Sequence, residues 1–314
     1  MTDRYAVIGH PIRQTKSPFI HASFAKATNQ DIDYGAIEGS LTDFAADVRA
    51  FRDAGGKGMN VTAPFKMQAF ALADERSERA NLAGAVNALK FENGRMLADN
   101  FDGIGLVNDI QRNLGFTMAG KRVLMLGAGG AARGALLPFL DARPAELVIA
   151  NRHPETAMLL AAAGQGRGVV RGGSYDEIGT GPFDLVVNAT SASLFAEMPP
   201  VSPGVFSPSG LAYELAYGKG LTPFLKLAQN AGVSRLADGV GMLAEQAAEA
   251  FLWWRGVRPD TRAVITELTV PLDGFFNGMD APTLTGRGCA RVESSAHPLE
   301  PSRSVYHEGC NGMD

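Results

Sequence analysis

One stretch constrains the fold more than any other. The apolar run Val123-Leu124-Met125-Leu126 ends in Gly127-Ala128-Gly129-Gly130 and passes straight into the alanine-rich Ala131-Ala132 segment. A continuous apolar run closed by glycines and followed by helix formers reads as a buried strand, a tight turn and a helix N-terminus. Gly127 permits the turn, and Gly129 lets backbone approach a charged ligand held at the helix N-terminus. Gly130 departs from the strict spacing of such turns but keeps the turn open. A second strand, Glu146-Leu147-Val148-Ile149-Ala150-Asn151, follows within about thirty residues, and Phe183-Asp184-Leu185-Val186-Val187-Asn188-Ala189 comes later. Strands alternating with helices predict an α/β chain with a parallel, doubly wound sheet of the Rossmann type.

The residues after the second strand bear on the ligand. A dinucleotide without a 2′-phosphate is usually held there by Asp or Glu, which bonds the ribose hydroxyl. This chain has Asn151-Arg152. A carboxylate would repel a 2′-phosphate, whereas a guanidinium bonds it with paired donors. The pattern therefore favours NADP over NAD as cofactor.

Before the glycine turn, polar residues stand at the ends of expected elements. Tyr5-Ala6-Val7-Ile8-Gly9 reads as a strand, and Ser17-Pro18 opens a helix with Ser17 as N-cap. Residues 32–37 form a further strand and residues 41–54 a helix. Thr15, Ser17 and the helix N-terminus together offer a carboxylate site. Gly58-Met59-Asn60-Val61-Thr62 ends a strand, Pro64 starts a helix, and Lys66 falls in its first turn, where the helix dipole opposes a cation. Asn87 sits in the expected strand Gly84–Leu89, where a polar side chain needs a partner. Asn93-Gly94 between residues 85–92 and 95–99 signals a hairpin. Asp102 opens another helix and is available either to cap it or to act in chemistry. A helix over 240–256 carries Leu243, Ala247, Ala250 and Trp254 on one stripe, with Gln246 on the face of Met242 and Trp253.

Bulk properties narrow the class. At 314 residues the chain is long for a single core. A net charge of −4 is unlike a nucleic-acid surface, and no apolar run approaches the ~20 residues of a membrane span. The N-terminus lacks the zones of a signal peptide. Cys289 and Cys310 are the two cysteines, so no disulfide framework or thiolate metal site supports residues 1–288. A cytoplasmic protein is the expectation, with no nucleic acid, membrane or metal partner and with a homodimer left open. Residues 273–314 are rich in Gly, Pro, Ser and Arg without periodicity, and read as a mobile tail.

These segments together resemble the shikimate dehydrogenase family. The matches run in order: Tyr5–Ile12 with Lys16-Ser17-Pro18, Asn60-Val61-Thr62-Ala63-Pro64-Phe65-Lys66, Gly84-Ala85-Val86-Asn87, Asp102-Gly103, Gly127–Ala131, Asn151-Arg152, Asn188–Ser191, Ala216-Tyr217 with Thr222-Pro223, and Ala237–Leu243 with Gln246. The resemblance extends to about residue 272. It implies a substrate-binding α/β domain from residues 1–103 plus 240–272, a Rossmann domain from 104–239, and a site in the cleft. It implies that Lys66 and Asp102 are the catalytic pair. Thr15, Ser17 and Tyr217 would hold the carboxylate of shikimate or 3-dehydroshikimate, and Thr62, Asn87 and Gln246 its hydroxyls. Glu78, Gly127, Ala128, Gly129, Gly130, Ala131, Asn151, Arg152, His153, Thr156, Leu215 and Gly239 would surround NADP. The chain departs from the pattern at Thr15, where serine is usual, and at Phe101, where threonine is common. It departs again at His153, for a usual threonine, and Thr156, for a common arginine. Two rivals remain: a quinate/shikimate dehydrogenase with relaxed cofactor choice, and a non-catalytic NADP sensor on the same fold.

Overall fold

The computed structural model describes residues 2–179, 181–190, 192 and 197–272. The expected tail, 273–314, and Ser191 lie outside the described residues.

The first half of the chain builds a mixed six-stranded sheet in the order β2-β1-β3-β5-β6-β4. Its strands are β1 (Asp3–Gly9), β2 (Ile32–Glu38), β3 (Gly56–Val61), β4 (Glu75–Arg76), β5 (Ala88–Glu92) and β6 (Arg95–Asp99). Helices α1 (Ser17–Thr28), α2 (Phe44–Asp53), α3 (Lys66–Leu72) and α4 (Glu78–Ala83) connect them. The β5–β6 hairpin turns on Asn93 and Gly94, both at positive φ (52° and 77°), as a two-residue turn of this hand requires. Helix α2 starts later than the sequence suggests, because Asp43 accepts the Ala46 N–H at 3.1 Å and caps it there.

Helix α5 (Asp102–Asn108), continued by a π-helical turn over Asp109–Asn113, leads into the second sheet. That sheet contains β7 (Arg122–Leu126), β8 (Glu146–Ala150), β9 (Val170–Gly173), β10 (Phe183–Asn188), β11 (Phe206–Glu214) and β12 (Arg235–Ala237), in the order β12-β11-β10-β7-β8-β9. Every pairing is parallel. Helices α6 (Gly130–Asp141), α7 (Pro154–Ala163) and α8 (Pro223–Asn230) connect its strands. This is the doubly wound Rossmann order, and its switch point lies between β7 and β10, where ligands bind. Two core clusters flank the sheet, one built around Met125, Leu136 and Phe139 and the other around Leu126, Val186 and Phe224.

The chain then returns to the first half. Helix α9 (Val240–Arg255) packs on α1 through Ala244, Ala247 and Phe251 against Ile20 and Phe24. Trp254 donates to the Leu89 carbonyl at 3.0 Å, and α10 (Arg262–Leu268) closes the described chain. The result is a two-domain α/β fold. No helix among the described residues is long and apolar enough to cross a membrane.

Three local expectations are corrected. Ser17 is the first residue of α1, not its cap: Lys16 holds the cap position and no side chain bonds there. Helix α3 begins at Lys66 rather than Pro64, because Thr62–Phe65 forms a turn closed by the Phe65 N–H on the Thr62 carbonyl at 3.0 Å. Asn87 lies in a bend before β5, not in a strand. Its backbone bridges Val61 and Asp99 by hydrogen bonds of 2.8 and 3.1 Å.

Candidate active site

A cavity of about 270 Å³ opens where β1 and β3 end and α9 begins. All eight residues expected at the substrate border it: Thr15, Ser17, Thr62, Lys66, Asn87, Asp102, Tyr217 and Gln246. Lys66 Nζ donates to Asp102 Oδ2 at 2.6 Å. The misfit of a cation in a first helical turn without an acid of its own is thus answered from α5. Asp102 is not spent on capping either. Its second oxygen accepts from Asn87 Nδ2 at 2.8 Å, and it is Asn100 Oδ1 that bonds the first N–H of α5, at 3.1 Å.

Asn87 has one possible orientation. Its Oδ1 accepts the Phe101 N–H at 2.9 Å, so its amide hydrogens face Asp102 and, at 3.2 Å, Gln246 Oε1. Gln246 Nε2 donates to the Leu243 carbonyl at 2.9 Å. On the opposite wall the Thr15 hydroxyl donates to Ser17 Oγ at 3.2 Å. Tyr217 is 46% exposed, and partial desolvation where it borders the cavity raises its phenol, against the pull of the nearby Lys66 charge, so it stands there as a neutral hydroxyl. Met242 borders the cavity beside Gln246, whereas Trp253 turns away and packs edge-on against Phe101, ring centroids 5.6 Å apart.

A second cavity, of about 600 Å³, lies at the switch point. Gly127, Ala128, Gly129, Gly130, Asn151, Arg152 and His153 border it. Gly127 has φ +103°, and a β-carbon there would approach the Ala189 carbonyl at 3.0 Å. At Gly129 and Gly130 a β-carbon would meet nothing within 4 Å, so the start of α6 faces open space. No side chain caps α6, and its first turn holds no acid, which leaves its N–H groups and dipole for an anion. Arg152 is exposed and, among the described residues, forms no ion pair. This donor set fits a pyrophosphate and a 2′-phosphate. Ala131, Leu215 and Gly239 border the first cavity, where they would meet the reactive end of a dinucleotide.

Two expected cofactor residues lie elsewhere. Thr156 sits in α7 and borders neither cavity; its N–H bonds the His153 carbonyl at 3.1 Å. Glu78 opens α4, pairs with Arg167 and borders a separate cavity of about 320 Å³. Both positions were assigned through the resemblance alone. The structure adds Lys16, Asn60 and Met242 to the first cavity and Tyr175 to the second. Asn60 had a signal, a polar residue inside a buried strand; Tyr175 had none.

Beneath the start of α9, Asp109 accepts from the Tyr213 hydroxyl at 2.7 Å and from Asn113 at 2.9 Å. Burial nevertheless raises the Asp109 carboxyl above its usual range. The Tyr213 oxygen in turn accepts the Met242 N–H at 3.3 Å and so fixes the first turn of α9.

A Rossmann sheet facing a second α/β domain, with a Lys–Asp pair in the cavity between them, defines the class: a two-domain dehydrogenase fold. The model of the shikimate dehydrogenase substrate binding domain matches residues 7–89, and that of the shikimate 5′-dehydrogenase C-terminal domain matches 239–269. The chain is 52% identical over 272 residues to the shikimate dehydrogenase (NADP(+)) of Dechloromonas aromatica (strain RCB), covering 87% of this chain and 99% of that protein. The crystal structure of an Ael1 enzyme from Pseudomonas putida superposes with a TM-score of 0.83 at 64% identity, covering 87% of this chain and all of that one. Shikimate 5-dehydrogenase from Thermus thermophilus, solved with NADP(H) and shikimate, gives 0.74 at 30% identity, covering 84% and 98%. The chain belongs to the shikimate dehydrogenase family.

Proposed function

We propose that this chain catalyses the reversible, NADPH-dependent reduction of 3-dehydroshikimate to shikimate. The observation that carries the reading is the Lys66–Asp102 pair, at 2.6 Å, in a cavity that also gathers the hydroxyls and amides of Thr15, Ser17, Thr62, Asn87, Tyr217 and Gln246. Thr15, Ser17 and Tyr217 offer hydroxyls to the carboxylate. Thr62, Asn87 and Gln246 offer partners to ring hydroxyls. When bound, the dinucleotide supplies the hydride that reduces the ring carbonyl. Lys66 donates a proton to the carbonyl oxygen as charge develops on it, and accepts that proton in the reverse direction. Asp102 orients the lysine and a neighbouring substrate hydroxyl. Arg152 supports NADP over NAD. Retention of both members of the pair speaks against a non-catalytic sensor, which has no use for them.

The reading includes a substrate-binding domain from residues 1–103 plus 240–272 and a Rossmann domain from 104–239. It also includes a cytoplasmic setting, while a homodimer is checked by sedimentation at assay concentration. The deciding experiment is a set of initial rates with shikimate and quinate, each with NADP and NAD. Shikimate with NADP should give the highest kcat/KM. Absence of shikimate-dependent NADP reduction would overturn the assignment, and quinate matching shikimate would favour the broader rival.

A further inference from the structure

Asn60 lies in β3, is 6% exposed and borders the first cavity. Groups behind it occupy most of its hydrogen-bonding capacity. Its Oδ1 accepts from the Tyr34 hydroxyl at 2.6 Å and lies 3.1 Å from His21 Nε2. Its Nδ2 donates to the Asn87 carbonyl at 3.2 Å. The amide cannot be turned over. Its oxygen would then face the Asn87 carbonyl oxygen, acceptor against acceptor, and nothing there could donate.

The same contacts determine the state of His21. The ring is fully buried in α1 and stacks on Tyr34 with centroids 4.1 Å apart and planes 6° from parallel. Burial pushes its pKa down to about 3, so it is neutral and carries one ring proton. Asn60 Oδ1 has no hydrogen, so that proton resides on Nε2. Nδ1 is consistent with this, being buried with no partner among the described residues. Burial also raises the Tyr34 phenol well above its usual range, against the opposing pull of a hydrogen bond with the Ser17 side chain, which keeps it a donor. Both lone pairs of Asn60 Oδ1 are therefore filled from behind. One Nδ2 hydrogen is taken by Asn87, and the other is the last hydrogen-bonding group the amide has.

We propose that His21 and Tyr34 are positioning residues that lock the Asn60 carboxamide, so that it shows the cavity an N–H donor and no acceptor. The site therefore selects a ligand oxygen with a free lone pair at that point and disfavours a group that can only donate. The proposal rests on the cavity being the substrate site, and the amide is one more group that reads the substrate. Asn87 is likewise held in one orientation by its bond to Phe101, but its two amide hydrogens go to Asp102 and Gln246, which leaves the Asn60 N–H as the amide donor without a protein acceptor at this wall among the described residues.

The test combines kinetics with a spectroscopic readout. Histidine-selective ¹⁵N NMR of the wild-type protein at neutral pH should give one buried ring in the neutral Nε2–H form, and His21→Gln should remove that signal. In His21→Leu and Tyr34→Phe, KM for shikimate should rise roughly 5–30-fold while kcat stays within about twofold. His21→Gln, whose amide can donate from nearly the same place, should keep KM close to wild type. A purely structural role would instead lower the melting temperature and active fraction, depress kcat and leave KM unchanged. An Nδ1–H ring, or an unchanged KM in folded His21→Leu and Tyr34→Phe, would overturn the proposal. If His21→Leu does not fold, the spectrum decides, because Tyr34→Phe also releases Ser17. If the wild-type protein does not oxidise shikimate, the functional reading falls by itself and the spectrum alone judges the lock.

Discussion

Lys66 places a cation where the peptide dipoles of α3 repel it, and Asp102, across a 2.6 Å hydrogen bond, is its compensation. Removing the lysine should therefore harm chemistry more than folding. Lys66→Ala is expected to lower kcat on the order of 10²–10⁴-fold, with little change in shikimate KM or NADP affinity. Steady-state kinetics and a cofactor titration on the folded variant check this, and near-normal turnover would remove the lysine from the mechanism. Arg152→Ala should raise KM for NADP and leave that for NAD almost unchanged, because its guanidinium serves only a 2′-phosphate. His21 makes a different prediction. Its pKa is about 3 in the folded chain against an ordinary 6.5, so between those values the unfolded chain binds more protons. The stabilisation is complete above pH 6.5 and is lost as pH falls towards 3, by up to about 1.4 kcal/mol per pH unit. Urea midpoints measured against pH should show this slope in the wild type and a shallower one in His21→Gln; equal slopes would contradict it.

Helix α5 carries Asp102 and lies wedged between α6 and α9 with almost no clearance. A β-carbon on Gly103 would meet the Gly134 carbonyl oxygen at 2.1 Å, and one on Gly105 would meet the Gln246 backbone nitrogen at 2.7 Å. Neither obstacle is a flexible side chain. Gly105→Ala should therefore push α5 and α9 apart, costing about 1–3 kcal/mol and raising shikimate KM through Gln246. Thermal melts and kinetics on the same preparation test both effects, and an unaffected KM would mean that the contact does not reach the site. Such close approach was not legible in the sequence, where Gly103 and Gly105 are two small residues near a helix start. What was legible was local. The run Val123–Leu126 and its glycines mark β7 and the start of α6 within two residues, because burial and turn geometry are written into neighbouring positions. The start of α3, the bend at Asn87 and the pairing of Glu78 with Arg167 depend on partners far along the chain. Ser17 and Asp102 each look like helix caps in the sequence. Only three-dimensional contacts, Lys66 and Asn87 on Asp102 above all, reveal a side chain left for another task.

At the scale of the whole molecule, the relative from Dechloromonas aromatica is matched over 99% of its own length by 87% of this chain. Nearly the whole of that relative is therefore matched without using all of this chain. Truncation after Leu272 should leave kcat, KM and melting temperature largely intact, and an insoluble or inactive product would show that the segment takes part in folding or function. The return of α9 to the first sheet has a consequence for how the protein is made. Residues 106–237 supply most of a core of their own, so every strand of the Rossmann sheet has its strand neighbours once they have emerged from the ribosome. The first sheet does not. Ile20 and Phe24 wait for Ala244, Ala247 and Phe251, and Tyr5 waits for Trp254 to stack against it at 4.8 Å. The part of the protein translated first is therefore among the last to be finished. The substrate cavity, which needs Gln246 as well as Thr15, comes into being only near the end of synthesis.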